Sequence, residues 1–255
     1  MINLRKNLSV VITTHVLPSA PSTDVIESTI DSVRNSFTGI ADCDIRIYCD
    51  SNVDNVNYEA YVENLRKIKN VSVVDVPHKG FPYSGLQNNY INSIKNSTTP
   101  FVLCCEHDWF FLREVDTDLL IQTMLNNDFV NFVRFNKRDN IKAHIRNPEP
   151  GDADFWETFV QEENLPLEQP LMKTDCIATH PHIMRTDKFV RDWVDIASST
   201  KTRVPGMVEF NLINAYKRDI ARMGFQKAHR SWGVYNYGGK YDKKIITHLD
   251  GSEKF

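Results

Sequence analysis

Phe101-Val102-Leu103-Cys104-Cys105-Glu106-His107-Asp108 is the stretch that decides the fold. Five apolar residues in a row, too few for a helix and followed at once by charge, predict a buried strand of the parallel type. Parallel strands need crossover connections, and the residues upstream supply them. Leu86, Tyr90 and Ile94 fall at helical spacing, and residues 71–76 read as a strand closed by Pro77. Before these, Tyr58, Tyr61, Val62, Leu65 and Ile68 mark another helix, and 44–49 alternate as a strand. Ile26, Ile30, Val33 and Phe37 line one face of a helix over 23–37, which Asp24 and Glu27 open as a capping box. Residues 8–13 are the first strand. Strand and helix in strict alternation predict an α/β fold, a right-handed βαβ sheet with helices on both faces.

Downstream of Asp108 the pattern loosens. A helix over 116–126 leads to a strand over 129–135, and the polar, Pro- and Gly-bearing stretch 137–154 reads as a loop or boundary. Residues 175–185 look like a strand, 186–197 and 207–223 like helices, and Gly224 like a helix stop. From Phe225 onward no periodicity is visible. The chain divides into a regular half, 1–136, and a less regular half, 137–255, within one continuous domain.

Composition narrows the classes. The 255 residues are 41% hydrophobic and 25% charged, ordinary globular usage. Thirty Lys plus Arg against 33 Asp plus Glu give a net charge of −3, which argues against a nucleic-acid partner. Aromatic residues at 11% exclude an acidic disordered chain. No apolar run approaches the roughly 20 residues that span a bilayer. The opening Arg5-Lys6 followed by 8–12 imitates a leader, but Thr13, Thr14 and His15 cut it short. Five cysteines, an odd number without any C-x-x-C, favour reduced buried thiols and a cytoplasmic setting.

Open parallel sheets bind ligands beyond the carboxyl ends of their strands. The polar residues there are Thr13-Thr14-His15, Asp50-Ser51-Asn52, His78-Lys79-Gly80 and Glu106-His107-Asp108. Neither G-x-G-x-x-G nor a P-loop follows a strand, which disfavours dinucleotide and P-loop enzymes. Glu106 and Asp108, one residue apart at a strand end, can converge on one hard divalent ion such as Mg²⁺ or Mn²⁺.

In this register the sequence resembles the family 2 glycosyltransferases and their relatives of the GT-A fold. Four segments carry the resemblance over about residues 8–110. They are Val10-Val11-Ile12-Thr13-Thr14-His15, the strand from Ile45 to Ser51, His78-Lys79-Gly80 with Ser84-Gly85-Leu86-Gln87-Asn88-Asn89, and the strand ending in Glu106-His107-Asp108. The resemblance implies a mostly parallel, Rossmann-like sheet that binds a UDP- or GDP-linked sugar and passes the sugar to a carbohydrate or other hydroxyl acceptor. It implies Thr13 and His15 against the nucleoside, Asp50 near base or ribose, and Lys79 and Gly80 beside the nucleotide. Glu106 and Asp108 would take a Mn²⁺ or Mg²⁺ ion and the diphosphate, in an E-x-D version of the family's D-x-D.

The family's C-terminal segment covers the diphosphate and can add a metal-binding His. Residues 217–244 carry eight bases and two acids, among them Arg230 and Lys243, and His248 is the candidate metal ligand. Val208-Glu209-Phe210 with Gly224-Phe225 resembles the acceptor-side helix, whose acid accepts the acceptor's proton. Phe210 replaces the usual Asp, so either Glu209 is the base, or the base comes from elsewhere with Asp175 in reserve, or the enzyme retains configuration and needs no base there. His180 and His182 share a strand face and suit a structural or acceptor-groove role. Trp156 and Trp232 are expected to stack on sugar, and Trp193 to sit in the core. Two other readings stand: a nucleotidyltransferase, against which Leu17-Pro18-Ser19-Ala20-Pro21 speaks, and a catalytically silent carbohydrate-binding domain, which Phe210 favours.

Overall fold

Period-two burial along the central strands produces a sheet covered on both faces. Along the strand that opens the sheet Val10 and Ile12 face one core and Val11 the other, and along the strand of the deciding stretch Phe101, Leu103 and Cys105 oppose Val102 and Cys104. The computed structural model describes residues 2–16, 19–52, 55–78, 82–140, 144–145, 158–160, 167–199 and 208–249.

A single turn, α1 (Leu4–Asn7), precedes β1 (Leu8–His15). The alternation then runs α2 (Asp24–Ser36), β2 (Ile45–Asn52), α3 (Tyr58–Leu65), β3 (Ser72–His78), α4 (Pro82–Lys95) and β4 (Phe101–Glu106), as the periodicity predicts. One detail of α2 differs. Its N-cap is Thr23, and the Thr23 hydroxyl bonds the Glu27 carboxylate rather than Asp24 acting as the cap. After β4 come β5 (Trp109–Phe111), α5 (Thr117–Asn126), β6 (Phe132–Arg134), β7 (His144–Ile145), β8 (Thr158–Val160), β9 (Leu171–Thr174) and β10 (His182–Arg185). Asp116 caps α5 by accepting the Leu119 N–H at 3.0 Å. The helix over 186–197 is built of α6 (Thr186–Lys188), a π turn at Phe189–Trp193 and α7 (Val194–Ala197). The chain closes with α8 (Val208–Met223), α9 (Phe225–Trp232), β11 (Val234–Tyr237) and β12 (Ile246–His248).

The ten-stranded sheet has the order β3-β2-β1-β4-β10-β6-β11-β9-β8-β7. Strands β3, β2, β1 and β4 are mutually parallel, and β10 enters antiparallel between β4 and β6. β11 runs parallel to β6 and antiparallel to β9. Residues from both halves of the chain therefore share one sheet. Apolar side chains of α2, α3 and α5 build the core on one face, and those of α4, the 186–197 helix, α8 and α9 build the other.

Two expectations for the second half need correction. Residues 175–185 are not one strand: β9 ends at Thr174, and only His182–Arg185 enter the sheet. The stretch after Phe225 holds a helix and an interior strand. The sequence hid α9 because it is only eight residues long, with Gly224 at φ 81° before it and Gly233 at φ 62° after it. Gly233 has no substitute there, since a Cβ would overlap the Phe129 carbonyl oxygen. The five cysteines are free, four of them buried. Among the described residues no helix is long and apolar enough to cross a membrane.

Candidate active site

Strand register brings the first candidates level with one another. Thr13 pairs with Glu106, and His15 with Asp50, at the carboxyl ends of β1, β4 and β2. The turn after β4 is then held from three sides. His107 N–H donates to Thr13 O at 3.0 Å, Thr29 Oγ1 donates to His107 O at 2.5 Å, and Leu249 N–H donates to Asp108 O at 2.8 Å. The last of these bonds follows from β12, which pairs antiparallel with β5 so that His248 lies opposite Trp109.

That pairing composes the rest of the site. The Trp109 ring lies 4.1 Å from His248 and 5.0 Å from His180, centroid to centroid. His248 Nδ1 stands 3.5 Å from Asp108 Oδ2, while Asp108 Oδ1 is buried without a hydrogen-bond partner. From the other side, the first turn of α8 presents Glu209, whose Oε2 accepts from Thr179 Oγ1 at 3.0 Å and Thr179 N–H at 3.4 Å. Burial, and then the nearby Asp108 and Glu209 charges, push the Glu106 carboxyl up to about 7, against hydrogen bonding from Trp109 and Thr179. Three carboxylates thus crowd one strand end.

Burial pushes His107, His15 and His182 toward the neutral form. Burial takes His107 down to about 4, with Asp108 opposing, and its ring meets His15 edge-on at 4.9 Å. His15 is also lowered by desolvation, against the pull of Asp50 and Asp108. His182, fully buried, falls to about 4. Its Nδ1 lies 2.7 Å from the His180 carbonyl, which only accepts, so that nitrogen carries the proton. Nε2 is then the acceptor for the Tyr90 hydroxyl at 2.8 Å. His182 is a structural post beneath the site.

Not every predicted residue arrives. Lys79, Gly80 and Trp156 lie outside the described residues. Asp175 is 2% exposed and bound to Lys217 Nζ at 2.5 Å, which ties up the reserve base. Lys243 Nζ pairs with Asp139 at 3.1 Å. Arg230 is exposed on α9. The strand it leads into sets Val234 beside Phe132, and thence by way of Met184 beside Val102, so Arg230 belongs to the opposite end of the sheet from Glu106. Trp232 is core rather than a sugar platform: it is 4% exposed, stacked on Trp193 and Tyr216, and donates to Asp219 Oδ2 at 2.9 Å. Trp193 is core as expected. Trp109 and Thr179 are the residues that sequence reasoning missed. An indole directly after the acidic pair was the available signal for the first, whereas Thr179 carries none.

Among the described residues, no three His, Cys, Asp or Glu side chains enclose a metal site. The donor set nevertheless fits a hard divalent ion of the kind held by one or two carboxylates plus substrate phosphate. Asp108 offers a buried unsatisfied oxygen, and the crowded acids call for positive charge. A depression of about 450 Å³ between α2 and α3, lined among others by Glu27, Arg34 and Lys67, shares no residue with this site.

No protein-family model and no curated protein matches the sequence. Solved structures match at the level of fold. Mouse xyloside xylosyltransferase 1, in its apo form, superposes with a TM-score of 0.51 at 8% identity, over 98% of this chain and 99% of that one. TarS 1–349 of S. aureus in complex with UDP gives 0.50 at 15% identity, over 94% of this chain. This chain spans 59% of that TarS fragment. The fold is α/β of GT-A type.

Proposed function

We propose that the chain is a glycosyltransferase that takes a sugar from a nucleoside diphosphate, with UDP the first candidate, and passes it to a hydroxyl of a carbohydrate or related acceptor. The observation that carries this reading is the convergence of Glu106, Asp108, His248 and Glu209 at the carboxyl end of a GT-A sheet. Support comes also from the solved neighbours, of which one is a xylosyltransferase and one binds UDP.

In this reading residues 1–136 supply most of the donor site, and 137–255, together with the end of β6, the acceptor site. His15 and Asp50, level across β1 and β2, line the nucleoside together with Thr13, two residues earlier on β1. Asp108, Glu106 and His248 would hold Mn²⁺ or Mg²⁺. When bound, such an ion supplies positive charge against the departing diphosphate. Trp109 packs against both His180 and His248 and so braces His248 beside Asp108. Glu209, aimed by the Thr179 hydroxyl, takes the proton from the acceptor hydroxyl as that oxygen attacks the anomeric carbon.

Isothermal titration of UDP and GDP, with and without Mn²⁺, tests the reading. Micromolar, Mn²⁺-dependent binding of one nucleotide is the expected result. Failure of both to bind, or unchanged UDP–Mn²⁺ binding by Asp108→Asn, overturns it.

A further inference from the structure

The carboxyl end of β6 carries charge of the opposite sign to the end of β4, from which β10 separates it. Arg134, the last residue of β6, is 4% exposed and lies in register between His182 of β10 and Asn236 of β11. Its Nε donates to Asn236 Oδ1 at 3.2 Å, and the Asn236 amide in turn donates to Asn140 Oδ1 at 2.6 Å, so the guanidinium is braced. The chain continues along the site. Phe135 N–H donates to Pro181 O at 2.9 Å, and Asn136 O accepts from Ile245 and Ile246 N–H at 2.9 and 3.3 Å. Residues 134–137 therefore run between the His180-Pro181 segment and β12, the strand that bears His248.

Three features of this segment point to a ligand. The Asn136 side chain is 4% exposed, and its Oδ1 is buried without a hydrogen-bond partner. Lys137 emerges next, and among the described residues no acid stands within ion-pair distance of it; Glu209 acts on it only through space. Arg134 and Lys137 both bear electrostatically on His180, whose ring packs on Trp109, and Lys137 feels the Glu209 charge as well. Paired bases beside a group that must accept a proton hinder it unless the arriving substrate brings negative charge of its own. An anionic substrate, conversely, is repelled by Glu106, Asp108 and Glu209 unless cations receive it.

We propose that the carboxyl end of β6 is an acceptor subsite for an anionic oxygen group, phosphate or carboxylate, received by Lys137 and Arg134. Asn136 Oδ1 accepts from a hydroxyl of the same acceptor. The inference rests on the transferase reading and adds the class of acceptor: a polyol or sugar that bears an anionic group close to the hydroxyl being glycosylated.

The test uses the full chain with a panel of UDP- and GDP-sugars and three small acceptors, glycerol, glycerate and glycerol 3-phosphate. Charge-assisted hydrogen bonding makes kcat/KM for a charged acceptor about tenfold or more above that for glycerol. The two charged probes separate carboxylate from phosphate. Lys137→Gln brings the charged-to-neutral ratio down about tenfold, and Lys137→Arg retains it. Raising ionic strength erodes the ratio as well. Equal transfer to all three acceptors, or a ratio indifferent to Lys137→Gln, overturns the subsite and leaves the transferase reading standing. If no donor loses its sugar, either to an acceptor or to water, both fall.

Discussion

His248 Nδ1 stands 3.5 Å from Asp108 Oδ2, and it reaches that position only because β12 pairs residue for residue with β5. Asp108 therefore faces an imidazole nitrogen with one oxygen, while its other oxygen is buried without a hydrogen-bond partner. Asp108→Asn is expected to keep the fold and abolish the Mn²⁺-dependent rise in Tm that UDP or GDP produces by binding the native state. His248→Ala is expected to weaken apparent Mn²⁺ affinity by about 10–100-fold, the usual effect of losing one group around a metal. A nucleotide-induced shift that is indifferent to Mn²⁺ in the wild type would remove the basis for both.

Glu209 owes its orientation to Thr179, from which it accepts two hydrogen bonds. Glu209→Gln keeps that geometry but cannot take a proton, so kcat should fall by about 10²–10⁴ while donor KM changes little. Thr179→Val should reduce kcat by less. Wild-type turnover in Glu209→Gln would move the base elsewhere.

Trp232 lies stacked between Trp193 and Tyr216. Trp232→Ala is expected to cost about 3–5 kcal/mol in urea unfolding, as other buried aromatic truncations do. At saturating stability the donor and acceptor KM values should be unaffected. A selective rise in acceptor KM would instead return Trp232 to the sugar-binding surface.

Acid should loosen the fold. Burial lowers His182 from 6.5 to about 4 and His229 from 6.5 to about 3. The unfolded chain takes up protons below pH 6.5 while the native state does not, so this contribution is complete above pH 6.5 and is lost as pH falls. Glu106, raised from 4.5 to about 7, acts in the reverse sense across that window, but one carboxyl opposes two histidines. Tm by calorimetry should therefore decline from pH 6.5 to 4.5. His182→Gln should be less stable at pH 7 yet show a shallower slope, and an equal slope would contradict the assignment.

The α/β alternation from Leu8 to Glu106 was legible because each helix and strand there is long enough to show its period. The same holds for Glu106 and Asp108, which a strand end delivers without tertiary help. After Phe135 the helices over 186–197 and 208–223 still show their period, but the strands do not. β9, β10 and β11 have four residues each, too few for alternation to register, and α9 is framed by glycines that read as loop. The tail's basic residues looked available because sequence shows charge without partners. Lys217 and Lys243 meet Asp175 and Asp139 only through the tertiary fold. Thr179 was invisible for the same reason: nothing near it in sequence announces Glu209.

The two-stranded ribbon of β5 and β12 has a consequence for biosynthesis. Three residues per strand form a ribbon too small to persist alone, held by the burial of Phe111 and Ile246. A nascent chain that has emerged as far as Tyr237 already owns every strand of the large sheet, yet Trp109 still lacks its cross-strand partner. Formation of the large sheet and completion of the proposed site are thus separable in time. Until residues 246–248 have left the ribosome, neither the β5–β12 pairing nor the contact of His248 with Asp108 can form.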